Sequence, residues 1–399
     1  MIVQQYKEML QAKSVIRELF AFATNRGKEI GYENVFDYSL GNPSVSVPDS
    51  FTRQMVSLFE ETDPMQLHGY SPTPGIPSVL EKIAMSLRKR FGLEYEGKHI
   101  FMTSGAAAAL AHAIRSVATT GDEIITFAPF FPEYKPYVNL TGAVLKVVPP
   151  QTKDFQIDFS SLEELINEKT AAILINTPNN PTGTIYETET LTRLGELLSG
   201  KSKEYGHTIY LISDEPYREI VFEQQEVPCV SKYYSHTIMC YSFSKSLSLP
   251  GERIGYVAVH PDCEEGTTII QMCGQISRGI GHNCPASCIQ LGVAEVLEET
   301  ADLSVYEKNA TILYEELIAL GFQVIRPKGT FYIFPKALEE DATRFCEKAK
   351  KYDLVFVPGD TFGCNGYVRI AYCIDTEKVI RSLDALRRFV QEEYGKEIN

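Results

Sequence analysis

A chain of 399 residues, 44% hydrophobic and 23% charged, is long enough to bury two or three cores and has the composition of a globular protein. Its 52 acidic side chains outnumber 38 basic ones, and a net charge of −14 spread along the chain argues against a nucleic-acid or anionic-membrane partner. Nine cysteines without a C-x-x-C pair point to thiols in a reducing compartment; with no leader-like N-terminus and no 18-residue apolar run, the expected location is the cytoplasm.

Residues 1–30 read as an N-terminal arm and a helix, which Ser14 can cap with Glu18 in the first turn. Val35 to Leu40 reads as a short strand closed by the turn Gly41-Asn42-Pro43. Residues 50–61 look helical, and Gly69 to Gly75 is a loop of turn formers before an amphipathic helix from Pro77 to Phe91. From about 98 to 260 the pattern alternates. Apolar runs at 123–127, 144–148, 171–175, 208–213, 236–242 and 254–259 are interleaved with helical segments at 105–119, 132–140, 160–168 and 187–204. Such alternation implies βαβ units and a mostly parallel sheet with helices on both faces. A long helical stretch, Ile289 to Leu320, is expected next. The tail then mixes short strands near 332, 354 and 367 with helices at 341–351 and 376–394. The expected organisation is an α/β protein: an arm and helix (1–45) packing with a small domain, a large domain (46–290), and a small α+β domain (291–399).

In an open parallel sheet, ligands sit beyond the carboxyl ends of the strands. The unusual polar residues fall there. Asn176-Thr-Pro-Asn-Asn180-Pro-Thr-Gly183 follows one strand, Asp214-Glu-Pro-Tyr217 another, and Ser242-Phe-Ser-Lys245 a third. Each has an ordinary reading: an Asn-Pro turn, a strand stop, a solvated lysine tip. Together they bring an amide, a carboxylate with a phenol, and an amine to one edge. Thr103-Ser104-Gly105-Ala106 opens an Ala-rich helix whose bare N–H groups suit an anion, although Ser-Gly is also a common cap. These are the parts that pyridoxal phosphate requires. A lysine forms the Schiff base, a carboxylate keeps the pyridine nitrogen protonated, and amide and phenol donors stabilise the ring's O3′ oxyanion.

With N-x-P-N-N-P-T-G, S-D-E-P-Y and S-F-S-K-(x)7-R-I-G in this order, the chain resembles the class I/II aminotransferases of fold type I, the aspartate-aminotransferase superfamily, from Gly41 to Arg369. The resemblance implies pyridoxal phosphate as cofactor, amino acids and 2-oxo acids as substrates, and a homodimer with shared active sites. On that pattern Lys245 carries the cofactor and moves the proton, and Asp214 faces the pyridine nitrogen. Tyr217 and Asn180 lie on O3′, with Asn180 also bordering the substrate. Phe131 stacks on the ring, with Phe130 as the other register. Ser242, Arg253 and the backbone of Gly105 and Ala106 hold the phosphate, and Tyr70 reaches the phosphate of the neighbouring subunit. Arg369 grips the substrate α-carboxylate with its two-pronged fork, helped by the backbone of Gly41. Ala106 stands where many relatives carry a hydroxyl or lysine, so phosphate binding leans on Ser242, Arg253 and Tyr70. The chain has no tryptophan, so stacking falls to phenylalanine.

Transamination is the reaction the resemblance favours. A C–S β-lyase acting on cystathionine or cysteine conjugates shares nearly all of these residues. Regulators that reuse the fold to sense the cofactor carry a winged helix, for which no basic recognition helix stands here. The segment Gln275 to Pro285 resembles the region where dicarboxylate-specific relatives donate an arginine across the dimer. Arg278 in that role implies aspartate or glutamate with 2-oxoglutarate; otherwise it is a loop arginine in an interface salt bridge. Val15 and Ile16 can line the side-chain pocket and close over it, which keeps aromatic amino acids open.

Overall fold

Seven strands and the helices between them build the frame on which the polar motifs are carried. The computed structural model describes residues 2–11 and 14–395; Met1, Ala12 and Lys13 of the expected arm lie outside the described residues, as do 396–399. Helices α1 (Gln4–Gln11) and α2 (Val15–Ile30) lead into β1 (Phe36–Asp37), followed by α3 (Asp49–Glu61), α4 (Pro64–His68) and α5 (Pro77–Phe91). Alternation then sets in with β2 (Ile100–Thr103), α6 (Ala106–Val117), β3 (Glu123–Phe127), α7 (Tyr134–Asn139), β4 (Val144–Val148) and α8 (Phe159–Leu165). It continues through β5 (Thr170–Asn176), α9 (Thr188–Tyr205), β6 (Tyr210–Asp214), β7 (Thr237–Ser242), α10 (Phe243–Ser246) and β8 (Gly255–Val259).

The sheet order is β2-β8-β7-β6-β5-β3-β4, and β8 alone runs against its neighbours. Every residue of β5 and of β7 is buried, as expected of strands covered on both faces. Alternate side chains divide between the faces. Leu174, Ile212 and Ile238 pack with Ala109 and Ala113 of α6, and Ile173 and Leu211 pack with Leu191, Leu194 and Leu198 of α9. The alanines bring α6 close to the sheet, so its N-terminus ends near the strand edge.

After β8 come α11 (Gly266–Ile280), α12 (Ser287–Val293), α13 (Ser304–Ala319), β9 (Tyr332–Ile333), α14 (Ala342–Ala349), β10 (Leu354–Val355), β11 (Val357–Pro358), β12 (Val368–Ala371) and α15 (Thr376–Tyr394). Strands β11, β12 and β9 form an antiparallel sheet, and β1 pairs with β10 in parallel. A separate core gathers around Tyr306, Phe331, Phe345 and Phe389. Leu19 and Ala23 of α2 pack with Val355 and Val357, tying the first helix to these late strands.

Four expectations need correction. The long helix from Ile289 to Leu320 is two helices, because between them the chain crosses behind α10, where the Ala301 N–H donates to the Ser246 carbonyl at 2.8 Å. Asp302 then accepts from the N–H and hydroxyl of Ser304 at 3.2 and 2.5 Å, starting α13 afresh. Ser14 precedes α2 but its side chain makes no capping bond; only its carbonyl engages, accepting from Glu18 N–H at 3.0 Å. The strand expected over 35–40 pairs only at Phe36 and Asp37. Finally, α11 occupies 266–280, so Arg278 lies in the last turn of a helix and not in a loop.

Behind the sheet edge, Glu215 and Arg218 form a fully buried ion pair. Arg218 Nε donates to Glu215 Oε2 at 2.6 Å, Ser213 Oγ satisfies Oε1 at 2.6 Å, and the guanidinium lies 4.8 Å from the centre of the Phe91 ring. Removing one partner leaves a buried charge uncompensated. Arg218→Ala is therefore expected to lower unfolding free energy by about 3–5 kcal/mol in urea titrations; a change below about 1 kcal/mol would show that water reaches Glu215.

Candidate active site

The register of the sheet brings the motifs together. Asn176 at the end of β5 stands opposite Asp214 at the end of β6, and Asp214 opposite Cys240 of β7, two residues before Ser242. Because β8 is reversed, its first residue, Gly255, pairs with both Ser242 and Thr103. The residues before β8 and after β2 thus reach the same edge. The result is a cavity of about 280 Å³ lined by Gly41, Ala106, Phe131, Asn180, Asp214, Tyr217, Ser242, Lys245, Arg253 and Arg369.

Lys245 sits on α10, a single turn opened by Ser242, whose Oγ accepts from the Ser244 N–H at 3.2 Å. Its Nζ donates to the Gly41 carbonyl at 2.7 Å. Burial, reinforced by the charges of Arg253 and Arg369 and opposed by Cys373, lowers the ammonium to about 8. A lysine lowered this far gives up its proton near neutral pH far more readily than a solvated one, as a nucleophile and proton carrier needs.

Asp214 is buried, and burial is the main reason its carboxyl is pushed up to about 7; the Tyr134 hydroxyl opposes that rise by donating to Oδ2 at 2.6 Å. Oδ1 is buried without a partner. One oxygen is thus held by the protein and the other left for a ligand, and a cationic donor there would return the group to its ionised form.

Arg369, on β12, is the third charged group. Its guanidinium donates to the Asn180 Oδ1 at 3.2 Å and the Ser39 carbonyl at 2.5 Å, and lies 4.7 and 4.8 Å from the centres of the Tyr332 and Phe362 rings. Burial lowers its pKa, Nε has no partner, and it forms no ion pair among the described residues. A buried guanidinium without a carboxylate has the capacity to bind one.

Asn176 braces its neighbour Asn180: its side chain donates to the Asp214 carbonyl and accepts from the Asn180 N–H, at 2.8 and 2.7 Å. The Tyr217 hydroxyl lies 3.2 Å from that of Tyr332. Arg253 has a positive φ of 51°, a conformation unusual for an arginine, which redirects the chain as β8 begins. Its guanidinium bonds the carbonyls of Pro250 and Ser104 at 3.0 and 3.3 Å. Gly105 has φ +81°, and a Cβ there would come within 2.8 Å of the Arg253 side chain. Only glycine leaves this corner open. Gly41 is equally confined, since a Cβ would strike the Tyr332 hydroxyl. Phe131 lines the cavity, whereas Phe130 is buried in the core.

Tyr70 and Arg278 are not brought to this cavity. Both are exposed on the surface. Tyr134, Tyr332 and Cys373 are the neighbours that sequence reasoning missed. Tyr134 had one signal: a tyrosine three residues beyond the lining Phe131, whose hydroxyl, if buried, must find a polar partner.

A family model described as "Aminotransferase class I and II" matches residues 33–386. A solved amino transferase from Eubacterium rectale is 43% identical, with a TM-score of 0.96 over 99% of this chain and 100% of that one. The chain belongs to the class I and II aminotransferases. A probable aspartate/prephenate aminotransferase of Aquifex aeolicus is 28% identical, covering 92% of this chain and 95% of that protein. Aromatic-amino-acid aminotransferase 2 of Thermococcus litoralis is 27% identical, covering 95% and 96%. This aminotransferase is thus a pyridoxal-phosphate-dependent transaminase of fold type I, with the mostly parallel sheet expected of it.

The residues present fit that cofactor. The unpartnered Asp214 Oδ1 suits a protonated ring nitrogen. At the other end, the first N–H groups of α6, the Ser242 hydroxyl and the Arg253 guanidinium border the open corner at Gly105, as a phosphate requires.

The raised Asp214 carboxyl has a measurable consequence. Its pKa is about 7 folded and about 4 unfolded. Its contribution to the cofactor-free fold is therefore fully present below about pH 4 and is lost as pH rises through 7. Between pH 5 and pH 8 the cofactor-free wild type is expected to lose about 2–3 kcal/mol more stability than Asp214→Asn in urea titrations. Equal losses would show that the carboxyl is not desolvated.

Proposed function

We propose that this transaminase moves the amino group of an L-amino acid to a 2-oxo acid such as 2-oxoglutarate, with its roles divided among the residues of the cavity. The observation that carries this reading is Arg369, a buried guanidinium without a carboxylate, in one cavity with Lys245 and the half-satisfied Asp214. Bound pyridoxal phosphate supplies the electron sink that lets a proton leave the substrate's Cα. Asp214 keeps that sink charged by holding the ring nitrogen protonated, and Tyr134 fixes which oxygen does so. Arg369 takes the α-carboxylate as a bidentate pair, oriented by Asn180 and by the rings of Tyr332 and Phe362 against it. Asn180, through its amide N–H, and Tyr217, through its hydroxyl, would donate to the ring oxygen. Lys245 holds the cofactor's aldehyde carbon at rest; as a free amine it then takes the Cα proton and returns it to the product side. Ser242, Arg253, Gly105 and Ala106 hold the phosphate, and Phe131 covers the ring.

Residues 46–290 form the cofactor domain in this reading, and 1–45 with 291–399 form a smaller one that carries Arg369. The nine free thiols favour the cytoplasm; among the described residues no helix is long and apolar enough to cross a membrane. Borohydride treatment of the holoenzyme is expected to fix the cofactor to the peptide containing Lys245, and an amino acid alone to convert the bound cofactor to its amine form. Label on another lysine, or release of ammonia without an acceptor, would overturn the assignment.

The assembly proposed is a homodimer in which Tyr70 and Arg278 serve the neighbouring site. Two observations support it. The loop carrying Tyr70 is bound to the segment after α11: Ser287 Oγ donates to the Gly69 carbonyl at 2.8 Å and Gln290 Nε2 to Ser71 Oγ at 3.1 Å. Apolar side chains nearby on α3, α4 and α11 are left wet, with Phe59 at 55%, Met65 at 80% and Ile280 at 48% exposure. Sedimentation is expected to give twice the chain mass, and the double variant Phe59→Glu/Met65→Glu to shift it to the monomer with loss of activity. A monomeric, active wild type would exclude shared sites.

A further inference from the structure

The chain from Tyr38 to Gly41 runs beside β12 into the wall of the cofactor cavity, and its four carbonyls are each taken by a donor from another element. Tyr38 accepts from the Ala371 N–H at 2.9 Å and Ser39 from the Arg369 guanidinium at 2.5 Å. Leu40 accepts from the Cys373 thiol at 3.5 Å and Gly41 from the Lys245 ammonium at 2.7 Å. The Asn42 N–H lies near the same Cys373 sulfur. One thiol thus acts on the peptide units on both sides of Gly41, since its S–H donates and its sulfur accepts. Leu40 and Asn42 are exposed, so backbone contacts, not buried side chains, hold this end of the strap.

Two of the four donors are the groups that ligands claim in the proposed function. Once Lys245 holds the cofactor's aldehyde carbon, its ammonium is no longer available to Gly41. A carboxylate on Arg369 likewise competes with the Ser39 carbonyl for the guanidinium. Of the two donors left, the Ala371 N–H bonds a carbonyl three residues before Gly41, whereas Cys373 bonds the one next to it. The thiol is 3% exposed, and burial pushes it up to about 12, so it stays neutral at physiological pH. Beyond the strap, the Ser44 N–H donates to the Tyr306 hydroxyl at 3.2 Å and Ser248 Oγ to the Val45 carbonyl at 2.5 Å. Both flanks are therefore fixed, and Gly41 depends on Cys373 whenever the cations are engaged elsewhere.

We infer that Cys373 is a positioning residue of this active site: its thiol staples the strap on either side of Gly41 and keeps the Gly41 carbonyl against Lys245. Because the thiol is claimed by neither cofactor nor substrate, it holds the strap in the empty and the filled site alike. The inference rests on the roles proposed above for Lys245 and Arg369. A hydroxyl at position 373 has the same donor and acceptor capacity, whereas a methyl group has neither.

Two measurements test it. First, the rate at which the cofactor-free full-length chain binds pyridoxal phosphate should follow the unprotonated fraction of Lys245, with a midpoint at about pH 8. In Cys373→Ala the Gly41 carbonyl is no longer held against the ammonium, so the midpoint should fall by about 0.5 pH unit or more. Cys373→Ser should restore it. Arg253 and Arg369, the charged groups that act on Lys245, are unaltered in both variants. Secondly, hydrogen exchange of the holoenzyme, resolved to the Asn42 amide, should be slow in the wild type. It should quicken about tenfold or more in Cys373→Ala and slow again in Cys373→Ser. An unchanged midpoint in Cys373→Ala would overturn the inference, and a change that serine does not reverse would reduce Cys373 to packing. Should Cys373→Ala fail to fold, a wild-type Asn42 amide exchanging as fast as an unprotected one would overturn it equally. Failure of the underlying reading looks different: borohydride would fix no cofactor to Lys245 of the wild type.

Discussion

Three ionisable groups of opposite sign share one buried cavity without neutralising one another, and the architecture around them serves that separation. Lys245 bonds a carbonyl, Asp214 a phenol, and Arg369 an amide and a carbonyl. Had Lys245 paired with Asp214, the ammonium would be held high and the carboxyl low, and neither amine nor cation-seeking oxygen would remain. The neutral partners position each group while leaving its charge uncompensated. Burial then dominates, lowering the lysine to about 8 and raising the aspartate to about 7. The same chain thus holds an amine and a carboxyl whose protonation both lie near neutrality, poised for a ligand to decide.

Keeping the groups apart is the work of the sheet. Strands β5, β6 and β7 end side by side, at a spacing of roughly 4.8 Å between neighbours, so residues at their tips point into one space from fixed, rigid origins. The reversed β8 adds its own beginning to that row of ends, and the positive φ of Arg253 turns the chain there. Glycine at 105 lets the guanidinium and the start of α6 meet. Behind this edge the saturated Glu215–Arg218 pair shows the opposite treatment of buried charge: every oxygen of the carboxylate is satisfied, and it has no capacity left for a ligand. Adjacent residues 214 and 215 point to opposite sides of the strand end, one toward function and one toward structure.

Much of this was legible in the sequence because it depends on local rules. Strand ends carrying Asn, Asp and Lys among buried runs are conspicuous, and the order of the three motifs leaves few families to consider. What escaped was whatever depends on contacts between distant segments. Tyr134 meets Asp214 across 80 positions, and its helix looks like any other short amphipathic turn. The break between α12 and α13 is set by a hydrogen bond to Ser246, which no periodicity records. Ser14 stands where a cap belongs but does not act as one, because propensity describes an average and not this side chain. Of the residues expected at the site, those on strand ends and β12 converge, whereas Tyr70 and Arg278 lie exposed on the surface.

The same three groups bear on stability as well as on chemistry. An unpartnered Asp214 oxygen, a buried Arg369 without a counterion and a desolvated Lys245 each cost stability, on the order of 1–3 kcal/mol for an unsatisfied polar group and more for a charge. In the reading proposed above, a cofactor that offers a cation to the first, and a substrate that offers a carboxylate to the second, would remove those costs as they bind. Ligands that bind only the native state stabilise it in proportion to their affinity. Replacing Asp214 by a neutral isostere should accordingly help the cofactor-free fold at alkaline pH, where the wild-type carboxyl must ionise against its burial.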